Sequence, residues 1–194
     1  MAFEIVVIGA SAGGLQALQT LLAALPADFP LPIVIVQHRG RESELNLCDY
    51  LIAHTGLAIS EPDDKEEIRA RHVYLAPRDY HLLIEKKCFA LSTDGPVGFA
   101  RPSIDVLFES AAEDYQEKTV GVILTGKNRD GARGLAKIKS CGGLTLVEDP
   151  VSAASAEMPQ AAIDASQVDR VLPLSEIAPA LEGLSASLVG NHGV

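Results

Sequence analysis

The sequence predicts an α/β fold: a mainly parallel, doubly wound sheet with helices on both faces and one antiparallel β-hairpin at the edge. Three runs of strand length, residues 5–8, 33–36 and 119–124, are almost wholly apolar and are separated by helical patterns. Strands that are apolar on both faces and reached through helices are typical of a parallel sheet covered on both sides, with right-handed crossovers. Two further runs flank Lys86-Lys87, and this arrangement predicts the hairpin.

Composition limits the possible classes of protein. With 194 residues, 47% of them apolar and 22% charged, the chain fits one globular domain over residues 1–185 and a mobile tail at 186–194. The formal charge of −10 argues against a nucleic-acid partner, because such binding requires clustered Lys and Arg. The three cysteines have no C-x-x-C spacing, so we expect neither disulfides nor a thiolate metal site. No apolar run approaches the roughly 18 residues that span a bilayer, and we expect a cytoplasmic protein without membrane insertion.

The first half of the chain alternates strands and helices. A β-branched run at residues 5–8 stops at Gly9, and apolar residues spaced three to four apart begin at Leu15, so a strand leads into a helix. Prolines then break the chain before the strand at 33–36, which ends at His38. The elements expected next are a helix at 43–54, a short strand at 57–59, a solvated charged loop at 63–67, a strand at 72–77, and hairpin strands at 81–85 and 88–92.

The second half continues this alternation after a loop rich in Gly and Pro at 93–102. A helix follows, with Pro102 in its first turn or Ser103 as its N-cap, because apolar residues recur at helical spacing from Ile104. The remaining expected elements are strands at 119–124, 144–147 and 170–172 and helices at 132–139, 158–165 and 175–184.

The turn from Gly9 to Gly14 has three interpretations. Glycines after a first strand can admit a phosphate to the amides of a helix N-terminus, but the dinucleotide pattern G-x-G-x-x-G has a glycine where this chain has Ser11. The same residues also read G-x-S-x-G, a turn that exposes a nucleophilic serine hydroxyl. The simplest alternative is that Ser11 only caps the helix.

Ser11, His38 and Asp130 each follow a different predicted parallel strand at its carboxyl end. These ends share one edge of the sheet, where neighbouring strands lie about 4.8 Å apart, so the three side chains converge if their strands are adjacent. A serine hydroxyl becomes a nucleophile when an imidazole accepts its proton and a carboxylate orients the imidazole. Backbone amides beside Ser11 and in the Gly126-Lys127 turn are candidates for an oxyanion hole. For Asp130 alone, N-capping of the following helix is the alternative.

The other histidines carry no metal-ligand spacing such as H-E-x-x-H. His54, His72 and His81 lie within or beside structural elements, which favours surface or packing roles, and His192 lies in the expected tail. We therefore expect no metal.

Several segments, taken together and in this order, resemble the catalytic domain of the CheB-type chemotaxis protein-glutamate methylesterases. The resemblance covers nearly the whole chain to about Leu184. The matching segments are residues 8–14, 37–38, 101–108, 121–126, 130–132 and 158–159.

The resemblance implies both a reaction and the residues that perform it. Members of this family hydrolyse γ-glutamyl methyl esters on chemoreceptor helices to glutamate and methanol, and some deamidate receptor glutamines, without a cofactor. The implied partners are a methylated chemoreceptor or receptor-like signalling protein, and a receiver domain or a methyltransferase in a separate or parent chain. The implied site residues are the triad Ser11, His38 and Asp130, oxyanion-hole amides at Ala12 and Lys127, and the substrate-binding candidates Arg101 and Met158.

Three departures from the family pattern affect substrate identity and regulation more than the triad. The segment from Lys127 to Asp130 replaces the usual Met-Gly-x-Asp, which adds charge at the rim and puts Asn128 in place of a glycine. Ala12 stands where the chemotaxis enzymes often have threonine. No receiver domain precedes Met1, so we do not expect phosphorylation within this chain to control it.

Two other classes of function remain open. One is a non-catalytic signalling or docking domain that keeps the fold, with Lys127 and Arg129 altering the cleft. The other is a nucleotide-binding protein that uses the turn from Gly9 to Gly14. Labelling of Ser11 by a fluorophosphonate would exclude the first, and micromolar affinity for a nucleotide would support the second.

Overall fold

The computed structural model of the chain describes residues 2–39 and 46–189, the last five of these by their backbone alone. The strands are β1 (Ile5–Ala10), β2 (Ile33–Gln37), β3 (Ile59–Ser60), β4 (Val73–Leu75), β5 (His81–Glu85), β6 (Cys88–Ser92), β7 (Thr119–Ile123), β8 (Leu144–Glu148) and β9 (Arg170–Leu172). The helices are α1 (Gly14–Ala24), α2 (Leu47–His54), α3 (Ile104–Tyr115), α4 (Ala132–Ser140), α5 (Glu157–Ala165) and α6 (Leu174–Val189). The predicted start of α2, at residues 43–45, lies outside the described residues.

Seven of these strands form one parallel sheet in the order β3-β4-β2-β1-β7-β8-β9. The central strand β1 pairs in parallel with β2 on one side and with β7 on the other. Strands β2, β3 and β4 lie on one side of β1, and the later strands β7, β8 and β9 lie on the other. Ligands of such sheets bind at the carboxyl ends of the strands where the order reverses, which here is beside β1.

Helices cover both faces of the sheet, as predicted. Helices α1, α2 and α6 pack on the face to which Val6 and Ile8 of β1 point, and α3, α4 and α5 pack on the opposite face with Ile5 and Val7. Burial on both faces is the reason why β1 reads as a continuous apolar run.

The predicted hairpin of β5 and β6 is present, but it forms its own two-stranded sheet and does not extend an edge of the main one. Its residues Ile84 and Phe89 are buried in the same core as α3. The backbone amides of Lys86 and Lys87 donate to the carboxylate of Asp114 in α3, at 2.9 and 2.8 Å. The hairpin is therefore attached to α3 both by its buried side chains and by the hydrogen bonds of its turn.

The closing helix α6 is longer than predicted. It continues to Val189, beyond the expected end at residue 184, and it contains Pro179. Residues 190–194 of the expected tail lie outside the described residues. Within the ranges that the structure describes, no helix has the length and apolar character needed to cross a membrane.

Candidate active site

Three adjacent strands bring Ser11, His38 and Asp130 to one edge of the sheet. Ser11 directly follows β1, His38 directly follows β2, and Asp130 lies between β7 and α4. The backbone pairing continues past the strands, because the Ser11 N–H donates to the Thr125 carbonyl at 2.9 Å and the His38 N–H to the Ala10 carbonyl at 3.0 Å. The adjacency on which convergence depends is therefore present.

The imidazole of His38 is bonded to the carboxylate of Asp130, with Nε2 of His38 lying 2.8 Å from Oδ2. Burial alone would raise the pKa of Asp130, but hydrogen bonds from His38 and from the Asp105 and Ile104 amides outweigh it, and the pKa lies below its ordinary value. An ionised carboxylate is only an acceptor, so Nε2 carries the proton of the neutral imidazole. The lone pair that can act as a base is therefore on Nδ1.

The hydroxyl of Ser11 lines a cleft of about 1190 Å³ together with His38. Its Oγ makes no hydrogen bond, to His38 or otherwise, within the described ranges of the chain. The N-cap of α1 is Gly13, with a φ of 81° and no side-chain capping bond. The interpretation of Ser11 as a helix cap is therefore wrong, because the chain makes a left-handed turn at Gly13 before the helix begins.

Asp130 does cap a helix, but not the one that follows it. The donors to its carboxylate at the start of α3 are the Ser103 hydroxyl at 2.8 Å, the Ile104 amide at 2.7 Å and the Asp105 amide at 3.0 Å. In return, Oδ1 of Asp105 accepts the amides of Gly131 and Gly134 at 2.9 and 2.8 Å, at the start of α4. We call this exchange between Asp130 and Asp105 the α3–α4 clamp. It fixes the Asp130 carboxylate between two helix N-termini, where negative charge is stabilised.

Ser103 and His81 support this clamp; Ser103 was expected only as a helix cap within a family-like segment, and His81 only in a surface or packing role. Ser103 occupies the predicted N-cap position of α3, but its hydroxyl donates to Asp130 and makes no capping bond. Its amide donates to Nδ1 of His81 at 3.2 Å, and Nε2 of His81 lies 3.1 Å from the Gly95 carbonyl. His81 is 2% exposed. It therefore has a packing role that links the loop at 93–102 to the clamp.

The amides of Ala12 and Lys127 follow the ends of the neighbouring strands β1 and β7. Thr125 joins the two turns, because its Oγ1 donates to the Ala12 carbonyl at 2.9 Å. The amide of Thr125 donates to Oε2 of the buried Glu148, in β8, at 2.8 Å. In the described part of the chain neither the Ala12 N–H nor the Lys127 N–H has a hydrogen-bond acceptor. Both donors are available to a charge that develops beside Ser11.

The two substrate-binding candidates, Arg101 and Met158, differ in their exposure to the cleft. Arg101 lines the cleft, but its Nη1 donates to the carbonyls of Thr93 and Asp94 at 2.9 and 3.1 Å, so it also braces the loop at 93–102. Met158 is 1% exposed and packs beneath Gly126, where an added Cβ would lie 2.7 Å from its Sδ. Helix α5 turns the Met158 thioether into the core, and a role for Met158 in substrate binding stays a prediction.

Phe99 stands at the rim of the cleft with its side chain fully exposed. It lies at the tip of a tight turn, with a φ of 68°, where Val97 and Ala100 exchange backbone hydrogen bonds of 3.0 Å. A left-handed backbone is uncommon for a bulky residue outside tight turns. Phe99 also borders a second depression, of about 770 Å³, which Lys127 and Arg129 line. An exposed aromatic side chain and a depression with charges of both signs thus flank the site.

The glycine turn after β1 is filled by the protein itself. Oε1 of Gln37 lies against Gly14, where an added Cβ would come within 2.0 Å of it. The amide Nε2 of Gln37 donates to the carbonyls of Ser11 and His38 at 2.9 and 2.7 Å. Glycine is required at position 14 by this internal packing, which removes the reason for assigning the turn to a nucleotide phosphate.

Known proteins of similar sequence and structure agree on one family. The sequence model of the CheB methylesterase family matches residues 6–181. A Leptospira interrogans protein, provisionally named a protein-glutamate methylesterase/protein-glutamine glutaminase, is 53% identical over 179 residues, which cover 92% of this chain and 93% of that protein. An Anaeromyxobacter dehalogenans protein-glutamate methylesterase/protein-glutamine glutaminase is 43% identical, with 94% of this chain matching 53% of its length. The crystal structure of the Thermotoga maritima CheB methylesterase catalytic domain matches with a TM-score of 0.89 and 36% identity, over 95% of this chain and 100% of that one.

Proposed function

The chain belongs to the CheB methylesterase family and is a protein-glutamate methylesterase, a carboxylic ester hydrolase, and we propose that Ser11, His38 and Asp130 are its catalytic residues. The observation that carries this proposal is the bonded pair of His38 and Asp130 in the same cleft wall as the uncommitted Ser11 hydroxyl. We further propose that residues 1–185 form the catalytic domain and that it acts in the cytoplasm.

The reaction begins when Oγ of Ser11 attacks the ester carbonyl carbon and Nδ1 of His38 takes the hydroxyl proton. Asp130 stabilises the imidazolium through Nε2. The proton then passes from Nδ1 to the departing methanol, which leaves an acyl-enzyme on Ser11. A water molecule activated by His38 hydrolyses this ester and releases the glutamate side chain. In the best-known Ser-His-Asp proteases the two imidazole nitrogens have the opposite assignment.

The Ala12 and Lys127 amides are the proposed oxyanion hole. They follow adjacent strands, and neither has an acceptor within residues 2–39 and 46–189. Donors that are already fixed in place stabilise the tetrahedral oxyanion without reorganisation, and loss of one typically costs about 2.7 to 4 kcal/mol.

The proposed substrate is a methylated chemoreceptor or receptor-like signalling protein, and glutamine deamidation is a second proposed reaction in which ammonia leaves in place of methanol. The rim supports a protein substrate, because Phe99 offers an apolar contact beyond the cleft. The depression beside Phe99 carries charges of both signs, from Lys127, Arg129 and Arg133 and from Asp105, Asp130, Glu157 and Asp164. Arg101 is placed to contact such a substrate only with the atoms that the loop does not use. A receiver domain or a methyltransferase in a separate or parent chain is the proposed regulatory partner.

The proposal is tested by methanol release from a methyl-esterified receptor fragment and by labelling with a fluorophosphonate. Ser11→Ala should abolish labelling and lower turnover by about 10⁴ to 10⁶. Ser140→Ala is the matched control, because Ser140 is an exposed serine at the end of α4, away from the cleft. Native methanol release by the Ser11→Ala variant would contradict the mechanism. Absence of labelling in the wild-type protein would instead support the alternative of a non-catalytic docking domain.

A further inference from the structure

A second side chain competes with Ser11 for the base nitrogen of His38. Nδ2 of Asn128 lies 3.1 Å from Nδ1 of His38. Oδ1 of the same amide accepts the backbone N–H of Asp130, also at 3.1 Å. The second bond determines which end of the amide faces the imidazole, because only its oxygen can accept an N–H. Asn128 therefore donates a hydrogen bond to Nδ1.

The neutral imidazole has one lone pair, on Nδ1, since Nε2 directs its proton at Asp130. The proton of Ser11 has to enter the same lone pair when the hydroxyl attacks. In the structure Asn128 occupies it, while Oγ of Ser11 has no hydrogen-bond partner among the residues described. In this arrangement the Asn128 amide has its hydrogen-bond acceptor, whereas the Ser11 hydroxyl is not bonded to the base; we call this the unprimed state.

We propose that Asn128 is a positioning residue that holds His38 in this unprimed state and that a bound protein substrate releases it, an inference that rests on the proposed function. Asn128 lines both the cleft that contains Ser11 and the second depression beside Phe99. A carbonyl oxygen of a peptide lying across this rim can accept the Asn128 amide proton. Nδ1 is then free to accept the hydroxyl of Ser11, so occupation of the rim and activation of the base are linked.

Two variants separate this role from simple support of the loop. Asn128→Ser keeps a side-chain oxygen that can accept the Asp130 amide, since serine forms the same local turn, but its side chain is too short to reach His38. Asn128→Asp keeps the acceptor and replaces the donor by a carboxylate, which favours a proton on Nδ1. The measurement is the second-order rate of Ser11 labelling by a small fluorophosphonate across pH, with thermal unfolding of each variant.

Asn128→Ser should be labelled about two to ten times faster than the wild type, the effect of removing one competing hydrogen bond. Asn128→Asp should be labelled more slowly, with its pH midpoint moved upward. Labelling of Asn128→Ser at or below the wild-type rate overturns the inference whatever its melting temperature. That result differs from failure of the proposed function, in which the wild type and Ser11→Ala would be labelled equally.

Discussion

The two ends of the proposed triad differ in how completely their polar atoms are bonded. Asp130 is 6% exposed, and its carboxylate accepts hydrogen bonds from His38 and from the first residues of α3. Ser11 is partly exposed in an open cleft, and its hydroxyl is unbonded within the described structure. Asp130 therefore stabilises the fold in addition to its proposed catalytic role, whereas Ser11 has the proposed catalytic role alone. Substitutions at the two ends should therefore separate activity from stability.

The largest difference is expected between Asp130→Asn and Ser11→Ala. Asp130→Asn should lower kcat by about 10⁴. It should also lower the free energy of unfolding by about 1 to 3 kcal/mol, because its NH₂ group faces donors of the α3–α4 clamp that then lack an acceptor. Ser11→Ala should unfold like the wild type. Urea denaturation of both variants tests this, and equal stability of the two would break the comparison.

Ser103→Ala should have a smaller effect of the same kind. The hydroxyl is fully buried and donates to the Asp130 carboxylate, so its loss should cost about 1.5 to 3 kcal/mol of stability. We expect kcat to fall about tenfold, which corresponds to about 1.4 kcal/mol in the barrier. Ser110→Ala is the control, since the Ser110 hydroxyl in the same helix accepts the amide of Ile84 in β5, donates to the Leu107 carbonyl and does not touch the triad. An equal loss of kcat in Ser110→Ala would show that destabilising α3 is enough to lower kcat, without loss of the bond to Asp130.

Gly134→Ala should disturb the clamp through packing. The new Cβ would lie 2.5 Å from Cβ of Phe108 and 3.1 Å from Cα of Asp105, so α3 and α4 must separate. Overpacking of this kind typically costs about 1 to 3 kcal/mol. Gly183→Ala is the control, because no described atom lies within 4 Å of the added Cβ in α6, and helix propensity predicts a gain of up to about 1 kcal/mol. Thermal unfolding distinguishes the two, and equal melting temperatures would contradict the close approach of α3 and α4.

The smallest expected effect is a pH dependence from Glu148. Burial raises the pKa of this carboxyl above its ordinary value of 4.5, although the Thr125 amide opposes the change. The native state therefore holds more protons than the unfolded state between the two values, and wild-type stability should fall as pH rises through that window. Glu148→Gln keeps an acceptor for Thr125 without the charge, so it should match the wild type below pH 4.5 and exceed it near neutrality. A melting temperature difference between Glu148→Gln and the wild type that stays constant with pH would exclude this effect.

The features of the molecule that depend on residues close together in the sequence could be predicted. Continuous apolar runs marked the central strands, and the ends of those strands marked Ser11, His38 and Asp130. Bonds between distant segments could not be predicted, because nothing near Asn128 in the sequence indicates that it reaches His38. The partners of Asp130 at the start of α3 were hidden for the same reason.

Side-chain direction was the second limit. Met158 was a candidate for substrate binding, but the packing of α5 beneath Gly126 turns its side chain inward. The hairpin was recognised from its two runs and its turn, yet only its packing on α3 determines that it stands apart from the main sheet.

Because Asp130 fastens two helices together, selection for a stable protein would keep it even where esterase activity is no longer needed. A descendant that had lost the activity and kept only a binding role would be expected to retain this aspartate, while Ser11 and His38 were replaced by other residues. When inactive members are sought among similar sequences, positions 11 and 38 are therefore the informative ones, and an intact position 130 says little.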